Sequence, residues 1–141
     1  MKSYEASTTI EATPEAVWEI LLEGGSYTAW DSGVLALEGD IALGNRLKVT
    51  SEANPGRAFP VRVTEVVPAR SMRWSGGMPL GLFKGERTFT LSPRGEGGTH
   101  FVLREEYSGP MLGLIWRSMP DLGPSFEKFA HGLKERAEHG A

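Results

Sequence analysis

Hydrophobic and polar positions along this chain change period from strand to helix, back to strand, and finally to helix. From Tyr4 to Glu11 they run in a rough period of two, with β-branched Thr8, Thr9 and Ile10, which predicts a strand. Val17, Trp18, Leu21 and Leu22 then recur at helical spacing. Thr13 ahead of them is a good N-cap, Pro14 suits the first helical position, and Glu15 favours the positive end of the helix dipole. Gly24-Gly25 stops this helix. Ser26 is placed to cap a second short helical segment holding Tyr27 and Trp30, which ends near Asp31-Ser32-Gly33.

From there to about Gly109 the pattern is strand and turn. Val34 to Leu37 is a short apolar run, and Leu47 and Val49 alternate with Arg46 and Lys48 after a Gly44-Asn45 turn. Asn54-Pro55-Gly56 turns into a strand where Phe59, Val61 and Val63 alternate with Pro60, Arg62 and Thr64. Met72-Arg73-Trp74-Ser75 is the next strand, and Gly76 to Gly81 is a loop carrying apolar side chains. The segment 83–91 is a long strand with Phe83, Arg87, Phe89 and Leu91 on one face. Past the turn at Gly95 to Gly98, a last strand puts Phe101, Leu103, Glu105 and Tyr107 on the same side. Pro110 is placed to open a closing helix with Met111, Leu114, Ile115 and Met119 at helical spacing; Pro120 and Gly123-Pro124 must kink or interrupt it. Beyond them Leu122, Phe126, Phe129 and Leu133 form an apolar stripe.

Composition narrows the class of protein. A length of 141 residues fits a single domain spanning 1–141, and 40% hydrophobic with 23% charged residues is ordinary for a soluble protein. No apolar run approaches the ~20 residues of a membrane span, so no stable membrane insertion is expected. The alternating start MKSYEASTTIE is unlike a secretory signal, and the absence of cysteine excludes disulfides and thiolate metal sites. A cytoplasmic location is the default expectation. A formal charge of −3 argues against nucleic acid as partner.

An antiparallel meander of this length twists and curls, and one amphipathic helix laid along its concave face cannot fill a wide curl. The inward-facing candidates are large: Trp30, Trp74, Phe83, Phe89, Phe101, Tyr107, Met111, Trp116 and Met119. They are either ordinary core or the walls of a small-molecule pocket. The loop from Met78 to Leu82, edged by Gly and Pro, suits the mouth of a pocket or a homodimer contact.

The order of elements and several local motifs resemble the START/Bet v 1-like superfamily (SRPBCC), the polyketide cyclase/dehydrase and lipid-transport group. The motifs are IEATPEAVWEIL at 10–21, the Tyr27-x-x-Trp30 pair, SMRWSGG at 71–77, LFKGERTFTLSP at 82–93 and GGTHFVLREEYSG at 97–109. The resemblance spans essentially the whole chain and rests on their order and spacing together. It implies an α+β helix-grip fold: a seven-stranded curved antiparallel sheet around a long C-terminal helix, with two short helices after the first strand. It also implies an elongated cavity, used in this superfamily by lipid and steroid carriers, hormone receptors and polyketide cyclases.

Arg87 and Glu105 are the most informative polar positions, because both fall on the apolar faces of the last two strands. A charge facing a core is costly unless paired, so the two are expected to meet directly or through a water. Such a pair would fix strand register or serve as a polar handle for a ligand oxygen; a register error of one residue would put both in solvent. Similar bacterial sequences carry His at the position of Arg87, and an Arg cannot shuttle a proton near neutral pH. Tyr107 could donate to a ligand carbonyl, and Asp31 is either a pocket acid or a turn residue. His100, His131 and His139 lack the spacing of a metal site, so no metal and no cofactor is expected. A serine nucleophile elbow and a phosphate-binding loop are missing too. Three functions stay open: a binder of a lipid-like or aromatic molecule, with Trp30, Trp74, Met78, Phe83, Arg87, Phe89, Phe101, Glu105, Tyr107, Met111, Trp116 and Met119 as candidate contacts; a cyclase or dehydratase that shapes its substrate; and an interaction module with a filled interior.

Overall fold

The computed structural model describes residues 2–140, so the expected domain limits at residues 1 and 141 lie outside the described residues. Seven strands are formed: β1 (Lys2–Ile10), β2 (Val34–Glu38), β3 (Arg46–Ser51), β4 (Phe59–Val67), β5 (Ser71–Gly77), β6 (Lys84–Arg94) and β7 (Gly98–Ser108). They make one antiparallel sheet in the order β1-β7-β6-β5-β4-β3-β2. Strands β2 to β7 are therefore a simple meander, and the N-terminal strand closes it by pairing with the last one, from Lys2 opposite Tyr107 to Ile10 opposite Thr99. Register shifts between Val34 and Ala36 and between Val63 and Glu65 add the local bends that help a long meander curl.

Helix α1 (Pro14–Leu22) begins as its residues dictate. The Thr13 hydroxyl accepts the Ala16 N–H, Pro14 opens the first turn, and Val17, Trp18 and Leu21 are buried. The segment after it is a 3₁₀ turn, Gly24–Ala29, and it starts earlier than the sequence indicates: Glu23, not Ser26, precedes it. The Ser26 hydroxyl points back to the Glu23 carboxylate instead of capping. What holds this segment is Tyr27, buried and donating its hydroxyl to the Leu21 carbonyl at 2.6 Å.

The closing helical region is two helices, α2 (Leu112–Ser118) and α3 (Gly123–His139). Pro110 does not itself open α2; the helix begins at Leu112 with Met111 in the capping position. Leu114 is 64% exposed, so α2 buries less of its apolar pattern than its spacing predicts. Pro120 lies in the break between the two helices, and Gly123-Pro124 form the first turn of α3, where proline is tolerated. The α3 stripe is made: Phe126, Phe129 and Leu133 are buried in the curl of the sheet, and His139 is the last helical residue. A close approach locks α3 in place. A Cβ on Gly132 would stand 2.0 Å from the Asp31 carbonyl oxygen, so only glycine lets the 30–33 segment lie on the helix. The Lys128 ammonium reinforces the contact, binding Asp31 at 3.2 Å and Glu52 at 2.6 Å.

Candidate functional site

The concave face of the sheet is organised in cross-strand rows. One row is Met72, Phe89, Leu103 and Ala6, all buried. Phe129 of α3 closes over this part of the sheet, with its ring 5.9 Å from Phe89 and 6.3 Å from Phe101. The next row is Trp74, Arg87, Glu105 and Tyr4. The row after that brings Gly76 opposite Gly85 and Gly85 opposite Tyr107. Gly85 leaves space here, Gly76 beside it accommodates the Pro60 carbonyl that a Cβ would meet at 2.8 Å, and α3 does not fill the gap.

That space is a cavity of about 370 Å³. Gly76, Gly85, Trp74 and Leu103 border it from the sheet, with Val49, Phe59 and Val61 from the β3–β4 side. Phe126 and Phe129 of α3 and Ile115, Met119 and Leu122 of the α2–α3 region form the facing wall. The lining is thus aromatic and aliphatic, as small-molecule pockets usually are. Ser32, Ser51, Asn54, Arg57, Ser118 and Ser125 add polar groups to the lining, and its inner polar part is a cluster of three groups on β6 and β7. Arg87 Nε donates to Glu105 Oε1 at 3.0 Å, with side chains only 23% and 17% exposed. The Tyr107 hydroxyl donates to the other oxygen of the same carboxylate. The Arg87 guanidinium also lies 4.8 Å from the centre of the Phe126 ring, a cation–π contact with α3. Burial first, then the charge and hydrogen bond of Glu105, pushes the Tyr107 hydroxyl well above the usual tyrosine value, so it stays protonated.

The expected meeting of Arg87 and Glu105 is therefore present, and Trp74, Phe83, Tyr107 and Met119 border the cavity with them. The other candidates stand elsewhere. Trp30 packs on Phe129 and Tyr27 at 5.2 and 5.4 Å and, like Phe89 and Phe101, is sealed into the core. Trp116 turns to Tyr4, Tyr107 and the Lys2 ammonium, outside the lining. Met111 is spent on the chain reversal before α2, its N–H donating to the Leu82 carbonyl. Met78 is half-exposed and borders a shallow groove with Arg46, Arg62 and Lys84, and Leu80 beside it is 97% exposed. Asp31 is an exposed partner of Lys128. Sequence reasoning missed Val49, Phe59, Val61 and Phe126 as lining residues, and above all the glycine row. The available signal was Gly85 within a strand pattern, where glycine marks a bulge or a close approach to the backbone; Gly76 was read as the start of a loop, whereas β5 runs on to Gly77.

A curved sheet gripping a C-terminal helix, with an apolar cavity between them, defines the helix-grip class of α+β proteins. A family model for polyketide cyclase/dehydrase and lipid-transport proteins matches residues 1–138, and the chain belongs to that family. No curated protein matches the sequence. Among solved structures, a START superfamily protein from Mycobacterium smegmatis is similar over 99% of both chains, at 17% identity and a TM-score of 0.73. The Aha1 dimer from Colwellia psychrerythraea is similar over 99% of this chain and 98% of its own, at 18% identity and a TM-score of 0.75. DynU16, a putative protein in the dynemicin biosynthetic locus, is similar over 99% of this chain but 48% of its own length, at 16% identity and a TM-score of 0.70. At these identities the likenesses show the fold. No described helix is long and apolar enough to cross a membrane, and no described group of acidic or histidine side chains is arranged to hold a metal ion.

Proposed function

We propose that the chain acts as one ligand-binding domain that holds an apolar small molecule, lipid-like or aromatic, in the cavity between sheet and α3, with Arg87 as its polar handle. The observation that carries this reading is the glycine row. Gly85 keeps a side chain out of a place where the neighbouring row is filled, Gly76 beside it lets the Pro60 carbonyl come close, and the resulting space is walled by apolar groups. Binding is favoured over turnover because the one carboxylate and the tyrosine hydroxyl of the lining are already engaged, with Arg87 and Tyr107 both holding Glu105, and the remaining charged group, Arg57, lies over the Phe59 ring. A proton-transfer mechanism needs a group free to gain or lose a proton near neutral pH.

Gly85→Leu tests the reading. A Cβ at Gly85 meets only the Tyr107 ring, at the ordinary contact distance of 3.5 Å, so a longer side chain there enters the cavity without striking backbone. The wild-type chain should bind an apolar dye such as Nile red, and a variant that keeps the wild-type circular dichroism should lose at least tenfold in affinity. Absence of binding by the wild type, or unchanged binding by Gly85→Leu, rejects the cavity as the ligand site.

A further inference from the structure

The polar cluster around Arg87 is unbalanced in hydrogen-bond donors. Within it Glu105 is the acceptor, and both its oxygens are taken, one by Arg87 and one by Tyr107. The Tyr107 proton is committed in the same bond. Arg87 carries five N–H donors, of which only Nε has a hydrogen-bond partner among the described residues. Trp74 adds one more donor. It is 3% exposed, it borders the cavity, and its indole N–H has no partner among the described residues. Trp30 also has an unpartnered indole N–H, but it does not border the cavity. Trp74 and Arg87 are direct cross-strand partners on the inward face, so their side chains rise side by side. Buried donors are satisfied in the great majority of proteins, and an unsatisfied one is costly.

We infer that Trp74 Nε1–H and the Nη groups of Arg87 form a donor pair for an uncharged oxygen acceptor, a carbonyl of ketone, ester or amide type, on an otherwise apolar ligand. The inference rests on the cavity being the ligand site, and it names the chemistry at the polar end. The acceptor at Arg87 is uncharged because the positive charge of Arg87 is already matched by Glu105 at 3.0 Å, and Arg57, the other cation of the lining, stands apart over the Phe59 ring at 5.1 Å. A carboxylate placed on the same guanidinium would bring a second negative charge beside Glu105 in a largely buried setting, where repulsion is poorly screened.

The test uses three naphthalenes of nearly equal shape: 2-acetylnaphthalene, 2-ethylnaphthalene and 2-naphthoate. The full chain, labelled with nitrogen-15, is titrated with each. The ketone should bind at least fivefold tighter than the hydrocarbon, a preference of the size expected for one or two hydrogen bonds. It should also shift the indole N–H signal that disappears in Trp74→Phe, whereas naphthoate should bind no better than the hydrocarbon. In Trp74→Phe, which also changes the cavity wall, the ratio of ketone to hydrocarbon affinity should fall at least threefold, and an unchanged ratio overturns the role of the indole N–H. Equal binding of ketone and hydrocarbon overturns the donor pair but leaves the cavity standing. Tightest binding of naphthoate overturns the requirement for an uncharged group. If none of the three binds, the cavity reading fails and the donor pair with it.

Discussion

Arg87 and Glu105 stand directly opposite each other on β6 and β7 and are joined at 3.0 Å on the face that looks into the cavity. Neither side chain is fully sealed, so their attraction is weaker than that of a dry pair and stronger than that of a surface pair. Removing one partner strands the other's charge. Glu105→Leu and Arg87→Leu should each cost about 2 kcal/mol. The double variant should cost less than the sum of the two, with a coupling of about 1–2 kcal/mol. Urea unfolding midpoints at unchanged slope give all three numbers, and simple additivity would show that the charges do not depend on each other.

Two glycines should respond in opposite directions. Gly132→Ala forces a Cβ to within 2.0 Å of the Asp31 backbone oxygen and should cost about 3 kcal/mol, because backbone on both sides must shift. Gly113, inside α2, has nothing within 4 Å of its would-be Cβ. Gly113→Ala should therefore stabilise by about 0.5–1 kcal/mol through helix propensity. Thermal melts of the two variants check the contrast.

Burial pushes the hydroxyls of Tyr27 and Tyr107 well above the usual tyrosine value, Tyr107 with added help from Glu105. Because the folded values are raised, the stability these groups contribute is fully present below the unfolded value of about 10 and is lost as pH rises beyond it. Tyrosinate absorbance should show both hydroxyls silent until the chain unfolds in alkali. Tyr107→Phe should remove one of them and soften the alkaline fall in stability. Ionisation of all three tyrosines in the folded chain at their ordinary value would contradict this.

Glu138 works in the other direction. Its carboxylate accepts the Glu11 backbone N–H at 2.8 Å and holds the Lys134 ammonium, and these two contacts lower its pKa below the ordinary carboxylate value. A lowered folded value means stability that is present above the unfolded value, about 4.3, and is lost as pH falls through the folded one. Glu138→Gln should flatten the acid limb of a plot of melting temperature against pH. An unchanged acid limb would show that the link between α3 and the end of β1 is not set by this charge.

How much of this was legible in the sequence depended on how local each signal was. Thr13-Pro14, the α3 stripe and the two-residue period of β6 and β7 act within a few residues, and the structure follows them. Arg87 and Glu105 were visible as charges on apolar faces, since side-chain parity along a strand is strict. Parity tells which face a side chain takes, but not what lies above it. Phe89 and Trp74 both face inward; Phe129 of α3 covers the first, and the second borders open space. Where a helix crosses a sheet is set by distant contacts such as Gly132 against Asp31, which no local pattern encodes. Ser26 failed as a cap for a similar reason, because Tyr27 is drawn into the core and the turn forms around it.

The closure of the sheet by β1 has a bearing on how the chain reaches this state. Ile10 pairs with Thr99, and strands β2 to β6 lie between them along the chain. During synthesis the first strand emerges early and must wait, its pairing edge unoccupied, until β7 arrives. The entropy of closing that long loop falls on the slow side of folding rates, so the final docking of β1 should limit refolding, and substitutions along it should alter the speed of folding more than those in the α1 turn.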